Sequence, residues 1–340
     1  MNKKIVVTGA SGFLGSYLVR YLVENNYDVI ATGRRAEFPN MISDLADQVE
    51  YVSGDLSDYQ FTKNLVKRAS KIYHTAARVA FQSKEQRQIY LSNVSATEHL
   101  VNESLSQGIS KFLFVSSVAA LGRNQDQTLI SETANWEQTA YHSIYSKSKY
   151  QSERMVWRAI EEGLQAVIVN PSIIVGAGEW KEGSPSFIPL LAKGLSFYPK
   201  GSSGFVDVRD VASLSHQLME SQIMGERFIL SAENLSFQEL FSLIAKNLQK
   251  KIPRKPISNQ QIYALSYIDK FFSTILGIKQ RLPLDLVQGF TAQCAYDNTK
   301  LLDQFDFQYR TISSCIEQTA GAFIESQNKG KNFGLLDFNQ

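Results

Sequence analysis

The chain has 340 residues, 44% hydrophobic and 20% charged, with a net charge of +2. These are globular values with length for about two domains, and near-neutrality gives no general attraction to nucleic acid or to an anionic membrane. Cys294, Cys315 and the four histidines show no zinc-ligand spacing; the sparse cysteines suit a reducing cytoplasm, and no apolar run reaches the ~20 residues of a membrane span.

In chain order, "KKIVVT" predicts a strand and "FLGSYLVRYLVENN" a helix, joined across "VTGASGFLGS". Lysines ahead of an apolar run imitate an export signal, but Gly9, Gly12 and Gly15 interrupt the run. A strand, three glycines and a helix predict a phosphate cradle instead. Gly9 allows the tight turn, Gly12 the close approach of backbone to a pyrophosphate, and Gly15 the close packing of helix on strand. The helix N-terminus offers unpaired N–H groups and partial positive charge.

Further strands follow at "YDVIATG", "VEYVSGD", "KIYHTAA", "KFLFVSS" and "QAVIVNPS", separated by helices over 59–70, 86–107 and 143–163 and by a polar loop from Arg123 to about His142. This alternation predicts an α/β fold, a doubly wound parallel sheet of Rossmann type covered on both faces. Beyond Pro171 the pattern loosens: a loop over 176–186, then strand, helix and strand in "GFVDVRDVASLSHQLMES" and "ERFILS", then mostly helices from Ser236. The expected division is a nucleotide-binding domain of 1–170 plus about 203–232, and a smaller, mostly helical substrate domain of about 171–202 plus 233–340.

The second strand ends "ATGRR". Gly33 stands where an acid would bond a ribose 2′-OH, and Arg34 and Arg35 suit a 2′-phosphate, so NADP(H) is favoured over NAD(H). "YSKSK" places Tyr145 and Lys149 one helical turn apart, where an ammonium favours the phenolate of a tyrosine acid–base. Ser117 closes "KFLFVSS" at the carboxyl edge of the sheet, where ligands bind in such folds and where a hydroxyl could hold a carbonyl.

With these residues in place, the chain resembles the extended short-chain dehydrogenases/reductases, the NAD-dependent epimerase/dehydratase group. "TGASGFLG" is similar to their glycine motif, and the resemblance implies cofactor contacts from Ser11, Phe13 and Leu14 beside Gly9, Gly12 and Gly15. "GDLSD" implies adenine contacts from Asp55 and Leu56, "HTAA" places Ala76 and Ala77 beside the ribose, and "NPSIIVGAG" puts Pro171, Ser172 and Ile174 against the nicotinamide. "NVSAT" makes Asn93 a structural or proton-relay candidate, and "VSSVAALG" favours Ser117 over Ser116. By the same resemblance Ser117, Tyr145 and Lys149 are the catalytic triad, with Lys149 also holding the nicotinamide ribose, and paired-helix homodimers are common.

The departures point to a branch. Asn170 stands where Arg often precedes Pro171. Val118 and Ala119 follow Ser117 without the acids of sugar-nucleotide dehydratases, and Gly204 stands where many nucleotide-sugar enzymes carry an arginine. The pattern is most similar to the dihydroflavonol-reductase-like and hydroxysteroid-dehydrogenase-like branch. The expected reaction is NADPH-dependent reduction of a small ketone or aldehyde; the rivals are a nucleotide-sugar epimerase with tightly held NAD and a non-catalytic cofactor sensor. No metal, nucleic acid or membrane partner is expected.

The remaining features take plainer readings. His74 is a packing residue at a strand end, and His142 a solvated loop residue. Cys294 and Cys315 pack. Lys246, Lys250, Lys251, Arg254 and Lys255 form a solvated helix end. "IYALSYIDKFFSTILG" has the spacing of a core-facing helix, with the roof of an apolar substrate pocket as its alternative.

Overall fold

In a computed structural model, residues 4–77, 86–122, 129–136, 143–276, 278, 280 and 282–339 are described. Seven short apolar runs form one sheet: β1 (Lys4–Thr8), β2 (Val29–Gly33), β3 (Val49–Ser53), β4 (Ala69–His74), β5 (Lys111–Val115), β7 (Ala166–Pro171) and β11 (Glu226–Leu230). Their order is β11-β7-β5-β4-β1-β2-β3, with every neighbouring pair parallel. The chain reverses direction across the sheet after β3, so the carboxyl ends of β1 and β4 flank a switch point, the usual ligand crevice of such a sheet.

Successive side chains on these strands enter opposite layers. Val7, Leu113 and Val167 pack under α1 (Phe13–Glu24) and α6 (Val208–Glu220). Val6, Phe112, Phe114 and Ile168 pack under α2 (Tyr59–Val66), α3 (Gln86–Gln107) and α4 (Ile144–Glu161). Phe112 and Phe114 are essentially inaccessible, and truncating either to alanine costs about 3–5 kcal/mol. The expected Rossmann layers are present.

The strand expected at "GFVDV" is present, but the other small strands were invisible in the pattern. β8 (Ile173–Val175), β10 (Ser202–Asp207) and β12 (Glu233–Ser236) form a separate sheet. Within the segment read as a polar loop, β6 (Leu129–Ile130) pairs with β14 (Ala295–Tyr296); β9 (Phe197–Pro199) pairs with β13 (Lys255–Ile257). Runs of two to four residues carry too little periodicity to announce themselves, and their partners lie far along the chain.

Around this second sheet lie α5 (Phe187–Ala192), α7 (Phe237–Asn247), α9 (Leu284–Thr291), α10 (Thr299–Leu302) and α11 (Ile312–Asn328). Phe237, Phe241, Phe290 and Phe187 form an edge-to-face aromatic cluster there. Cys294 and Cys315 are buried as free thiols. Beneath α6, Asp207 caps the helix by accepting from the Arg209 amide at 2.8 Å and forms a fully buried ion pair with the Arg209 guanidinium at 2.6 Å. Tyr17 on α1 donates to the Ala177 carbonyl and accepts from the Leu336 amide, each at 2.8 Å.

α8 (Asn259–Leu276) departs from its expected role in the core. Tyr267, Ile268, Phe271, Phe272, Ile275 and Leu276 are 53–64% exposed, whereas Ser266 and Ser273 are buried. Helical spacing defines an apolar stripe but not the direction in which it faces.

Candidate active site

A groove of about 580 Å³ runs along the carboxyl edge of the central sheet and gathers every residue singled out above as catalytic or cofactor-binding. At one end lies the glycine turn, with φ of +71° at Gly9. A Cβ on Gly9 would sit 2.7 Å from the Ala76 backbone, and one on Gly15 only 2.2 Å from the Gly9 carbonyl oxygen. Side chains are thus excluded from the turn at both positions. No side chain caps the first turn of α1, leaving its amides directed at the groove. Ser11, Gly12, Phe13 and Leu14 line this end.

Beyond β2, Gly33 has its would-be Cβ 2.8 Å from the Tyr51 hydroxyl, so a side chain there would crowd Tyr51, and exposed Arg34 and Arg35 follow it. Asp55 and buried Leu56 border the same end; the Asp55 carboxylate accepts from the Ser57 amide and hydroxyl at 2.9 and 2.7 Å. Ala76 and Ala77 form the middle wall, and Pro171, Ser172 and Ile174 the far wall. Ser172 is buried and its hydroxyl lacks a hydrogen-bond partner among the described residues. A glycine cradle, uncapped amides, paired arginines and an unsatisfied hydroxyl fit a dinucleotide laid along the groove.

At the far end Ser117 caps a short 3-10 turn, Val118–Ala120, accepting from the Ala119 amide at 3.1 Å. Tyr145 lines the same end of the groove; burial raises the phenol's pKa, and the nearby Ser117 side chain offsets part of the rise. Lys149 is buried, donates to the Val115 carbonyl at 2.7 Å and lies 5.0 Å from the Phe114 ring centroid. Burial lowers its pKa to about 8, with Glu153 acting in the opposite direction. The ammonium is therefore tethered to the sheet edge, and it is burial and Ser117 that act on the Tyr145 phenol.

Behind Ser117, Tyr145 and Lys149 is a polar network of which motif reading marked only Asn170, as a departure. Glu153 is buried on α4, its pKa raised by burial; it accepts from Asn170 at 2.6 Å and pairs with Arg227 at 3.2 Å. Asn170 also donates to the Ser117 carbonyl at 3.0 Å. Glu153 follows Lys149 by one helical turn, a spacing that could have identified it. Glu179 and Glu182 line the groove as well, with no motif to mark them. Asn93 borders the groove and donates to the Ser148 hydroxyl at 3.3 Å.

His74 is fully buried, its ring bridging the Thr8 and Thr97 hydroxyls at 2.8 and 3.1 Å. Burial, then the Lys149 charge, pushes its pKa down to about 3, so it stays neutral. His142 lies outside the described residues. Among the described residues, no group of three or more His, Cys, Asp or Glu is arranged to hold a metal ion, and no helix is long and apolar enough to cross a membrane.

Comparison with known proteins agrees with this geometry. Residues 5–230 match the NAD dependent epimerase/dehydratase family. The chain is 27% identical over 330 residues to the "Putative dihydroflavonol 4-reductase" of Synechocystis sp., covering 95% of this chain and 94% of that one. It is 25% identical over 318 residues to cinnamoyl-CoA reductase 1 of Petunia hybrida, covering 88% and 92%. The crystal structure of gox2253 superposes with a TM-score of 0.81 at 26% identity, over 97% of this chain and 99% of that one. With its glycine turn and parallel sheet inside the matched region, the chain belongs to the NAD dependent epimerase/dehydratase family and is an NAD(P)-dependent enzyme of the extended short-chain dehydrogenase/reductase type.

Proposed function

We propose that this enzyme reduces a small ketone or aldehyde to an alcohol with NADPH as the preferred cofactor. The observation that carries the reading is the convergence of Ser117, Tyr145 and Lys149 on one groove whose other end is the glycine turn. Bound nicotinamide would supply the hydride. Ser117 orients the substrate carbonyl, and Tyr145 donates its phenolic proton to the forming alkoxide. Burial favours the protonated phenol, the form that reduction requires. Lys149, charged below about pH 8, holds the nicotinamide ribose, and release from the Val115 carbonyl would let its charge act on the phenolate left behind.

The glycine turn, Asp55, Leu56, Ala76, Ala77, Pro171, Ser172 and Ile174 are the proposed cofactor contacts, and Arg34 and Arg35 the proposed 2′-phosphate site. The cofactor would lie on residues 1–170 plus about 203–232, and the substrate against about 171–202 plus 233–340. Val118 and Ala119 offer no carboxylate for sugar dehydration. At Gly204 there is no side chain to hold a diphosphate, and a Cβ there would crowd the Ser231 hydroxyl, the Tyr296 ring and Ser172 at 2.3, 2.9 and 3.0 Å. A cytoplasmic location and a paired-helix homodimer belong to the same proposal.

The test is a panel of carbonyl compounds and nucleotide sugars with NADPH and NADH, followed at the nicotinamide absorbance. Carbonyl-dependent oxidation of NADPH is expected, falling ~10²–10⁴-fold in Tyr145→Phe. Conversion of a nucleotide sugar without net cofactor oxidation would replace this reading with the epimerase.

A further inference from the structure

α8 carries its amphipathy reversed. Its inner side holds buried Ser266, which donates to the Leu282 carbonyl at 2.7 Å, and Asp269, which accepts from the Leu282 amide at 2.8 Å. Its outer side presents Tyr267, Phe271 and Ile275 with Ile268, Phe272 and Leu276, all more than half exposed. An apolar stripe of this size on a protein surface marks an interaction site.

The charge beside it selects the partner. From Gln249 to Arg281 the sequence has seven lysines and arginines and a single acid, Asp269, in a chain whose whole net charge is only +2. Lys250, Lys251, Arg254 and Lys255 are exposed. The β9–β13 pairing sets Lys255 directly beside Phe197, itself 48% exposed, so cation and apolar surface share one face. Next to α8 lies an apolar cavity of about 890 Å³, whose exposed lining residues Leu190, Phe197 and Leu265 continue the stripe.

We propose that this face docks on the surface of an anionic lipid bilayer, α8 lying in the interface with its aromatic stripe among the acyl chains and the basic residues against the headgroups. The helix is too polar to span a membrane, and a stripe of this kind flanked by lysines and arginines has the composition of an interfacial helix. A second copy of the chain is the poorer occupant, because a two-fold contact would bring the cationic segment against itself. The proposal revises the expectation of no membrane partner, which rested on whole-chain charge, and it is independent of the reaction catalysed.

The test is flotation of the full chain with vesicles of phosphatidylcholine alone and of phosphatidylcholine with phosphatidylglycerol. Binding is expected to require phosphatidylglycerol and to weaken with salt. Lys250→Ala/Lys251→Ala should weaken it roughly five-fold per lysine, and Phe271→Ser/Ile275→Ser should abolish it even at low salt. Both variants should retain wild-type cofactor binding and thermal unfolding, since the altered side chains face solvent. Failure of the wild type to float with phosphatidylglycerol vesicles would overturn the proposal. So would a dimer in analytical ultracentrifugation that Phe271→Ser/Ile275→Ser dissociates, or retained binding in that variant.

Discussion

A single amide nitrogen, Asn170 Nδ2, ties Glu153 to Ser117: it donates to the Glu153 carboxylate at 2.6 Å and to the Ser117 carbonyl at 3.0 Å. The Asn170 departure is thereby explained from within the fold, because Arg227, reaching across from β11, provides the cation that Glu153 requires. Asn170→Ala removes a donor from two buried acceptors. We expect it to lower stability by about 1–3 kcal/mol in urea titration. It should also reduce kcat for carbonyl reduction while leaving cofactor Kd unchanged, because Asn170 supports Ser117 without lining the groove.

Arg34 and Arg35 are exposed at the glycine-turn end of the groove, directly after Gly33. Charge-assisted hydrogen bonds are worth roughly 1.5–3 kcal/mol, about ten- to a hundredfold in affinity. Calorimetry should find NADPH bound more tightly than NADH by that margin, and Arg34→Ser/Arg35→Ser should erase the difference by weakening NADPH alone. Equal affinities in the wild type would contradict the assignment.

Lys149 predicts opposite pH trends for activity and stability. Its folded pKa lies near 8, below the ordinary lysine value of 10.5. Loss of its charge should give kcat/KM for reduction an alkaline limb near pH 8, absent from the weak residual activity of Lys149→Met. Between about 8 and 10.5 the unfolded chain holds more protons than the folded one at this site. This lysine's contribution to stability therefore rises with pH across that window and is diminished below it. Urea midpoints of wild type and Lys149→Met should diverge in that sense.

Asp207 and Arg209 form an ion pair with both side chains wholly buried. Arg209→Met leaves the carboxylate without its cation and should cost about 3–5 kcal/mol. Asp207→Asn/Arg209→Met should recover part of the loss, because asparagine still caps α6 and neither member of the pair leaves a charge unpaired. Urea denaturation of the two variants decides this, and equal losses would place the whole effect in packing.

The nucleotide-binding half was legible because its signals are local. The α3 bounds expected from the sequence coincide with Gln86–Gln107, and every residue chosen from a short motif borders one groove. Glu153 and Arg227 escaped, and Asn170 was marked only as a departure, because the three come from α4, β7 and β11 and acquire meaning only when the sheet brings them together. α8 was misread for another reason. Hydrophobic periodicity is the same whether a helix faces a protein core or some other apolar surface, and a near-zero total charge averages away a strongly cationic segment.

The Tyr17 hydroxyl bridges Ala177 and Leu336, and this has a consequence for biosynthesis. The first helix of the chain receives its final contacts only after residue 336 has left the ribosome. During most of translation that buried phenol lacks both native partners, and the apolar layer around it awaits residues not yet made. Non-local contacts of this span slow folding and lengthen exposure to aggregation. The nascent nucleotide-binding half should depend on chaperones until late in synthesis, rather than fold as an early, self-sufficient unit.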